Sequence, residues 1–433
     1  MNIKKLSLSI LFLCLALSVQ AADANTQRAL PGIDSYYEWI QSCLKASEAD
    51  LPAISASAEA AAKFYLQDNC KIIASGDFGV VGEAVGRSGG MMRFRWGSPI
   101  KDYVKDQPPR VVLLALREDH YEEYLAQARE KLSNDVSFVV LLGPRKLLDR
   151  AKADGFPMAV AIDNHAAAEE GLFSLGDGKF VVPTSPVASL MTLWVWTAEF
   201  VAACTREGKM PVMYQSYAIP GAKERAEQLK GLRFEEATPT SIQAGVLGRA
   251  FLQAARADLE TFYQHEKNNL AAVAVKAFET EKAGYGVYAF LHGHAIVMQQ
   301  LSFPNSPNFF TQLNQGWFEQ RKDVTLANGD FVFCVGYSVR FHDNEYKQWD
   351  ERARQSGATL AWSFTDYERN EVEAVKAAGE LWVNQHWDYG DAVVEVPGLD
   401  FKLFPTSGLI SQAVLRLVES GIFSLHQAAD WKP

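Results

Sequence analysis

The chain has 433 residues, of which 48% are hydrophobic and 22% charged, and its formal net charge is −10. This acidic balance argues against nucleic acid or an anionic membrane surface as the partner. The length exceeds that of one ordinary domain and predicts two or three.

The N-terminus has the features of a secretory signal peptide. Lys4 and Lys5 precede the apolar run 6–19, and Val19-Gln20-Ala21 is a small-residue cleavage pattern. The apolar run is shorter than a bilayer requires, although an uncleaved anchor is the alternative. We therefore expect residues 1–21 to be removed and the mature protein to be periplasmic or secreted, without a membrane span.

The cysteines give no sign of a metal site. The chain has five, one of them inside the predicted signal peptide, and no Cys-x-x-Cys spacing occurs. We accordingly predict neither a metal nor a cofactor. Export permits a disulfide between Cys43 and Cys70, whereas Cys334 lies in an apolar run typical of a buried strand.

An internal duplication organises the rest of the chain. Segments 43–51 and 251–259 share Leu, Ala, Ala, Asp and Leu at equivalent positions. Four further pairs of segments match in the same order: 71–76 with 286–293, 111–115 with 331–335, 137–141 with 359–363, and 182–185 with 404–407. The order of these matches predicts two tandem copies, residues 30–235 and 240–433.

Each copy reads as helices followed by strands that alternate with helices. The runs 111–116 and 331–335 are almost continuously apolar, as expected of parallel strands buried on both faces. We therefore predict two three-layer αβα domains, doubly wound and flavodoxin-like, each with a parallel sheet and an N-terminal helical pair. Thr184-Ser185 and Thr406-Ser407 are expected to cap each copy's last helix.

A glycine-rich stretch, residues 74–90, follows the first predicted strand. Its spacing, Gly76-x-x-Gly79-x-x-Gly82, departs from the dinucleotide fingerprint, and no Walker lysine follows. A nucleotide cofactor is therefore not expected. The glycines either begin another kind of ligand site or let a helix pack closely on a strand.

Several further motifs occur in order along residues 32–422. In the first copy a predicted strand, a glycine turn and a helix with Glu83 lead into Arg87-Ser88-Gly89-Gly90, and the second copy has Gly293-His294-Ala295-Ile296. The other motifs are segments 208–216 and 328–338 and the Pro-Thr-Ser of both copies. Together these motifs resemble the sugar isomerase (SIS) phosphosugar-binding family, which has serine where this chain has Ala295.

The resemblance implies that a sugar phosphate binds at the carboxyl ends of the parallel strands. Backbone N–H groups and hydroxyls would hold its phosphate, and a carboxylate would move a proton between adjacent carbons. The implied catalytic residues are Glu83, as base, and His294. The implied ligand-binding residues are Ser75, Gly76, Gly79, Arg87, Thr184, Ser185, Gly293, Tyr337, Ser338, Arg340, Asn344, Thr406 and Ser407.

Neither copy keeps a whole site. Gln300 stands in copy two opposite Glu83, and copy one has Ala115 and two carboxylates where copy two has Tyr337-Ser338. Two interpretations remain: independent decay, which is the simpler, or one composite site between the copies. Function is open in the same way, between phosphosugar binding with or without isomerase activity, an enzyme of another type that uses the same end of the sheet, and a non-catalytic sensor or partner-binding protein. Members of this fold commonly associate, so a homodimer is also expected.

Overall fold

A computed structural model describes most of the chain and gives the bounds used below. The described residues are 3–97, 109–131, 137–176, 178–294, 308–315, 319–321, 323–338, 344–365 and 369–429.

The first copy contains two helices followed by a five-stranded parallel sheet. Its elements are α1 (Ile3–Ala49), α2 (Leu51–Tyr65), β1 (Lys71–Gly76), α3 (Phe78–Ala84), β2 (Phe94–Trp96), β3 (Arg110–Ala115), α4 (Tyr121–Lys131), β4 (Ser137–Gly143), α5 (Arg145–Ala153), β5 (Val160–Asp163), β6 (Gly171–Gly176), β7 (Lys179–Pro183), α6 (Ser185–Arg206) and α7 (Ala222–Gln228). The strand order is β2-β1-β3-β4-β5, and β6 and β7 form a separate antiparallel hairpin.

The second copy repeats the parallel sheet, but one long helix precedes it, so the N-terminal helical pair predicted for this copy is wrong. Its elements are α8 (Val246–Lys282), β8 (Val287–Leu291), β9 (Thr311–Gln312), β10 (Asn314–Gln315), β11 (Glu319–Gln320), β12 (Phe331–Ser338), α9 (Asn344–Ser356), β13 (Thr359–Thr365), α10 (Arg369–Ala377), β14 (Leu381–Asn384), β15 (Ala392–Val394), β16 (Leu403–Pro405) and α11 (Ser407–Ala428). The sheet order is β14-β13-β12-β8-β9, again parallel, with β15 and β16 as an antiparallel pair.

The two sheets confirm the predicted doubly wound α/β class. In each, the first strand lies beside a short edge strand on one side and the next long strand on the other, which is the flavodoxin-like order. All six residues of β3 are buried, as the apolar run predicts for a strand covered on both faces. Ligands of such sheets bind where the strand order reverses, here between β1 and β3 and between β8 and β12.

One hydrophobic core runs through both copies. It includes residues of α1, α6, α8 and α11 together with one face of each sheet, while the opposite sheet faces carry smaller clusters. Helices α6 and α11 are long and apolar enough to cross a membrane, and nearly all of their residues are buried inside the protein. Their composition is therefore also that of central core helices.

The N-terminal helix of copy one packs on copy two. Helix α1 contacts α8 and α11, and α8 in turn contacts α6 of copy one. At the closest approach, a Cβ on Gly32 would lie 2.0 Å from the backbone oxygen of Ser420. The predicted signal peptide occupies the first half of α1, and its cleavage stays a prediction, as do the two domain boundaries.

The four described cysteines are free thiols. Cys43, Cys70, Cys204 and Cys334 are all buried, and the described residues contain no disulfide between Cys43 and Cys70. Burial raises the pKa of Cys43 to about 12, so this thiol stays protonated and unreactive.

Glu199 joins the two copies through the start of α8. This carboxylate, on α6, is 0% exposed and accepts hydrogen bonds from the backbone N–H groups of Gly245 (2.7 Å) and Gly248 (2.8 Å). It also accepts one from Ser55 Oγ at 2.6 Å. A carboxylate at a helix N-terminus satisfies N–H groups that lack partners within the helix and complements the helix dipole.

Replacing Glu199 by Gln should therefore destabilise the fold. The change removes the charge and turns an amide NH2 toward donors, which leaves buried N–H groups unpaired, and we expect a loss of about 1 to 3 kcal/mol in the free energy of unfolding. Urea denaturation of Glu199→Gln measures it, with the exposed Glu207→Gln, just after the end of the same helix, as the control. Equal stability of the two variants would contradict this role.

Candidate functional site

Glu83 is placed by the short helix that follows β1. Asp77 caps α3, its Oδ1 accepting the N–H of Val80 at 3.0 Å, so the helix begins directly after the strand. One residue before the helix ends, Glu83 turns into the protein and is 1% exposed. Arg87 follows four residues later, and its Nε lies 3.3 Å from Glu83 Oε2.

His294 comes from the other copy. It follows β8 through Gly293, whose φ of +91° and tight packing require glycine: a Cβ there would lie 2.5 Å from Cβ of Tyr337. His294 is 0% exposed, and its Nδ1 lies 3.2 Å from Glu83 Oε1. The structure thus brings the two predicted catalytic residues into contact across the junction of the copies.

The start of α11 closes over this pair. A Cβ on Gly408 would lie 3.0 Å from Glu83 Oε2 and 3.3 Å from His294 Nδ1, so the helix backbone is in contact distance of both groups. The N-terminal end of a helix carries partial positive charge, which favours an ionised carboxylate beside it.

Asp391 gathers three donors at the same place. Its Oδ2 accepts hydrogen bonds from Arg87 Nη2 at 2.6 Å, Ser407 Oγ at 2.8 Å and the Tyr337 hydroxyl at 2.9 Å. Arg87 Nη2 also bonds Ser407 Oγ. Asp391 and Ser407 are both 0% exposed. Arg87 therefore links the carboxylate of copy one to that of copy two.

Neighbouring groups in this network determine which of its side chains are charged. Burial opposes the charge of Arg87, but Asp391 and Glu83 outweigh it and hold the pKa of the guanidinium above its ordinary value. Burial, and next the charge of Asp391, raise the pKa of Tyr337. Tyr337 consequently stays protonated and acts as a donor.

Among the buried polar atoms of the site, His294 Nε2 and Asp391 Oδ1 have no hydrogen-bond partner in the part of the chain that the structure describes. If His294 donates its Nδ1–H to Glu83, its Nε2 is an acceptor. The site then offers a ligand a basic nitrogen and a carboxylate oxygen.

The predicted site residues divide into those at this junction and those elsewhere. At the junction lie Glu83, Arg87, Gly293, His294, Tyr337 and Ser407. At the sheet end of copy one lie Ser75, Gly76, Gly79, Thr184 and Ser185. Arg340 lies outside the described residues; Ser338 ends β12 and Asn344 begins α9.

The two threonines predicted to cap helices lie at the predicted positions but do not make the capping hydrogen bonds. Thr184 and Thr406 occupy the N-cap positions of α6 and α11, but neither side chain caps its helix. Instead Thr184 donates to the backbone oxygen of Glu170 (3.1 Å), and Thr406 donates to Asp258 (2.6 Å). Both hydroxyls donate to these nearby acceptors and not to the helix ends.

Gly76 is required by packing. Its φ is +95°, and a Cβ would lie 2.0 Å from the backbone oxygen of Ala115. Glycine is the residue that permits both this conformation and the close approach of β1 to β3. Its predicted contact with a ligand stays a prediction.

Asp391 is a residue of the candidate site that sequence reasoning missed. It lies in an irregular segment before β15, with a φ of +53°. Alignment of the two copies offers a signal, because Glu170 occupies the equivalent position with a φ of +60°. The backbone oxygens of Glu170 and Asp391 accept the N–H groups of Thr184 (2.8 Å) and Thr406 (3.1 Å).

The sheet end of copy one holds its own charged group. Arg117 is paired with Asp119 at 2.6 Å and with Asp77 at 3.4 Å. Glu170 lies nearby, its Oε1 accepting the N–H of Glu118 at 3.4 Å. Burial is the main cause that raises the pKa of Glu170 to about 7; the hydrogen bond from Glu118 opposes it.

Comparisons with known proteins found similar solved structures at low sequence identity. No protein-family model matches the chain, and no curated protein matches it. Among solved structures it is similar to tagatose-6-phosphate ketose/aldose isomerase from Escherichia coli, at 11% identity and a TM-score of 0.42, covering 94% of this chain and 93% of that one.

Two further structures are similar over comparable lengths. The C-terminal domain of glucosamine-fructose-6-phosphate aminotransferase from Francisella tularensis has 10% identity and a TM-score of 0.36, covering 88% of this chain and 95% of that one. Glucosamine-6-phosphate deaminase from Thermotoga maritima has 9% identity and a TM-score of 0.36, covering 90% and 94%. The fold assignment itself rests on the strand order described above.

The raised pKa of Glu170 predicts a pH-dependent stability. Between the ordinary pKa of 4.5 and about 7, the folded protein holds a proton that the unfolded chain releases. This contribution is complete below pH 4.5 and is lost as the pH rises to about 7. Glu170→Gln should therefore show a flatter decline in the free energy of unfolding over that window than the wild type.

Chemical denaturation across the window measures this slope. The adjacent exposed Glu169→Gln is the matched control and should keep the wild-type slope. If Glu170→Gln also kept it, the perturbed titration would not belong to Glu170.

Proposed function

We propose that the chain binds a carbohydrate derivative at the junction of its two copies and interconverts the aldose and ketose forms of that sugar. One observation carries the proposal: the buried carboxylate of Glu83, from copy one, contacts the imidazole of His294, from copy two, at 3.2 Å. The site lies at the carboxyl end of β8 and β12, where a doubly wound sheet binds its ligands.

Aldose–ketose isomerisation needs a group that carries a proton between adjacent carbons. A carboxylate can take the proton from the carbon beside the carbonyl and return it to the former carbonyl carbon. Glu83 is held for this by Arg87 and by the start of α11, which favour its ionised form. His294 Nε2 is the acceptor for the hydroxyl proton that leaves when a cyclic sugar opens.

A second candidate is a non-catalytic sensor or partner-binding protein that keeps only the fold. It is favoured by the depth of the network, since Glu83, His294, Asp391 and Ser407 are each at most 1% exposed. A buried polar network can serve to fix the two copies against each other. The predicted export away from cytoplasmic sugar phosphates also favours this candidate, and the expected homodimer is compatible with both.

Glu83→Gln separates the two candidates. In D2O an isomerase exchanges the proton beside the sugar carbonyl for deuterium, which NMR detects with a panel of aldoses, ketoses and their phosphates. We expect Glu83→Gln to lower this exchange by about 10² to 10⁴-fold, the usual contribution of acid–base catalysis, while ligand-induced thermal shifts remain. The exposed Glu224→Gln of copy one is the control.

The remaining outcomes are equally decisive. Thermal shifts without exchange in the wild type would support the non-catalytic candidate. If no sugar or sugar phosphate in the panel shifted the melting temperature, the proposal of carbohydrate binding would fail.

A further inference from the structure

We infer that Asp391 is a specificity-determining residue that excludes a phosphate from the junction and selects an uncharged sugar. This rests on the proposed function, because it names the class of ligand that the same site takes.

The first argument is that the donors suited to an anion are already engaged. Arg87, Ser407 and Tyr337 would together form a cradle for phosphate oxygens, and all three donate to the single oxygen Oδ2 of Asp391. The carboxylate of Asp391 thus occupies the position that a bound anion would take among these donors.

The second argument is the charge at the junction. Two carboxylates, Glu83 and Asp391, contact one guanidinium, Arg87. These contacting groups therefore carry an excess of negative charge before any ligand arrives. A phosphate dianion placed among them would meet like charges in a buried setting, where screening by water is weak.

Asp391 is also held in place. It is 0% exposed, and its backbone N–H bonds Asp388 O at 2.9 Å while its backbone oxygen accepts the N–H of Thr406. A φ of +53° is uncommon for a residue with a side chain and persists where the surroundings fix it. The carboxylate of Asp391 is therefore held in a fixed position in the site.

The sheet end of copy one also holds an arginine that is paired with carboxylates of the protein. Glu170 has the backbone position of Asp391, and Arg117 at that sheet end is paired internally with Asp77 and Asp119. At both sites, then, internal carboxylates neutralise an arginine that could hold an anion. An uncharged sugar suits the junction better, since Asp391 Oδ1 can accept a hydrogen bond from a sugar hydroxyl.

Matched pairs of ligands test the inference on the wild-type protein. Calorimetric titrations compare glucose with glucose 6-phosphate and fructose with fructose 6-phosphate. We expect the parent sugar to bind and its phosphate to bind more weakly by on the order of a hundredfold, because like-charge contacts are strongly unfavourable. Tighter binding of the phosphates would overturn the inference and leave the proposed function standing.

Asp391→Asn tests the residue itself with inorganic phosphate as the probe. The variant keeps the shape and removes the charge, so it should gain phosphate binding that the wild type and the exposed control Asp388→Asn lack. If Asp391→Asn folds, as verified by circular dichroism, and gains no phosphate binding, the inference is overturned. This outcome does not depend on whether the protein binds any sugar, so it is distinct from failure of the proposed function. If the variant does not fold, the wild-type pairs decide.

Discussion

The contact between Glu83 and His294 depends on how two copies of one domain share a core. Helix α1 of copy one packs on α8 and α11 of copy two, and Glu199 ties the start of α8 to α6. This shared core buries the carboxyl end of the second sheet against the first copy. Buried polar groups require partners, so Glu83 of copy one contacts the imidazole of His294, and Arg87 of copy one contacts the carboxylate of Asp391.

The shared site accounts for the asymmetry between the copies. Copy one supplies Glu83 and Arg87, whereas copy two supplies His294, Tyr337 and the start of α11. Neither copy has to supply the whole set, and the junction does not require a second glutamate from copy two. A composite site therefore explains with one arrangement what independent decay would explain with two separate losses.

The fold was accessible from the sequence because its determinants are local or repeated. Apolar runs such as β3 and the matched segments of the duplication predict parallel strands in two copies, and the sheets confirm them. Glu83 and His294 were both identifiable from the motifs around them. Their contact was not, because it joins residues 211 positions apart through packing that no local pattern encodes.

The misses have similar physical causes. Asp391 is a lone acidic residue in an irregular segment, and its role depends on donors from three distant elements. The threonine hydroxyls were expected to cap helices, but acceptors brought near by the tertiary fold compete for them. Side-chain partners of this kind follow from the packing of the two copies and not from the residue type.

A double-mutant cycle between Glu83 and His294 tests the composite site most directly. The free energies of unfolding of Glu83→Gln, His294→Asn and the double variant, measured with the wild type at one pH, give the coupling between the two side chains. Residues in contact couple by about 0.5 to 3 kcal/mol, and we predict a value in that range. Additive effects, with a coupling near zero, would contradict a site built from both copies.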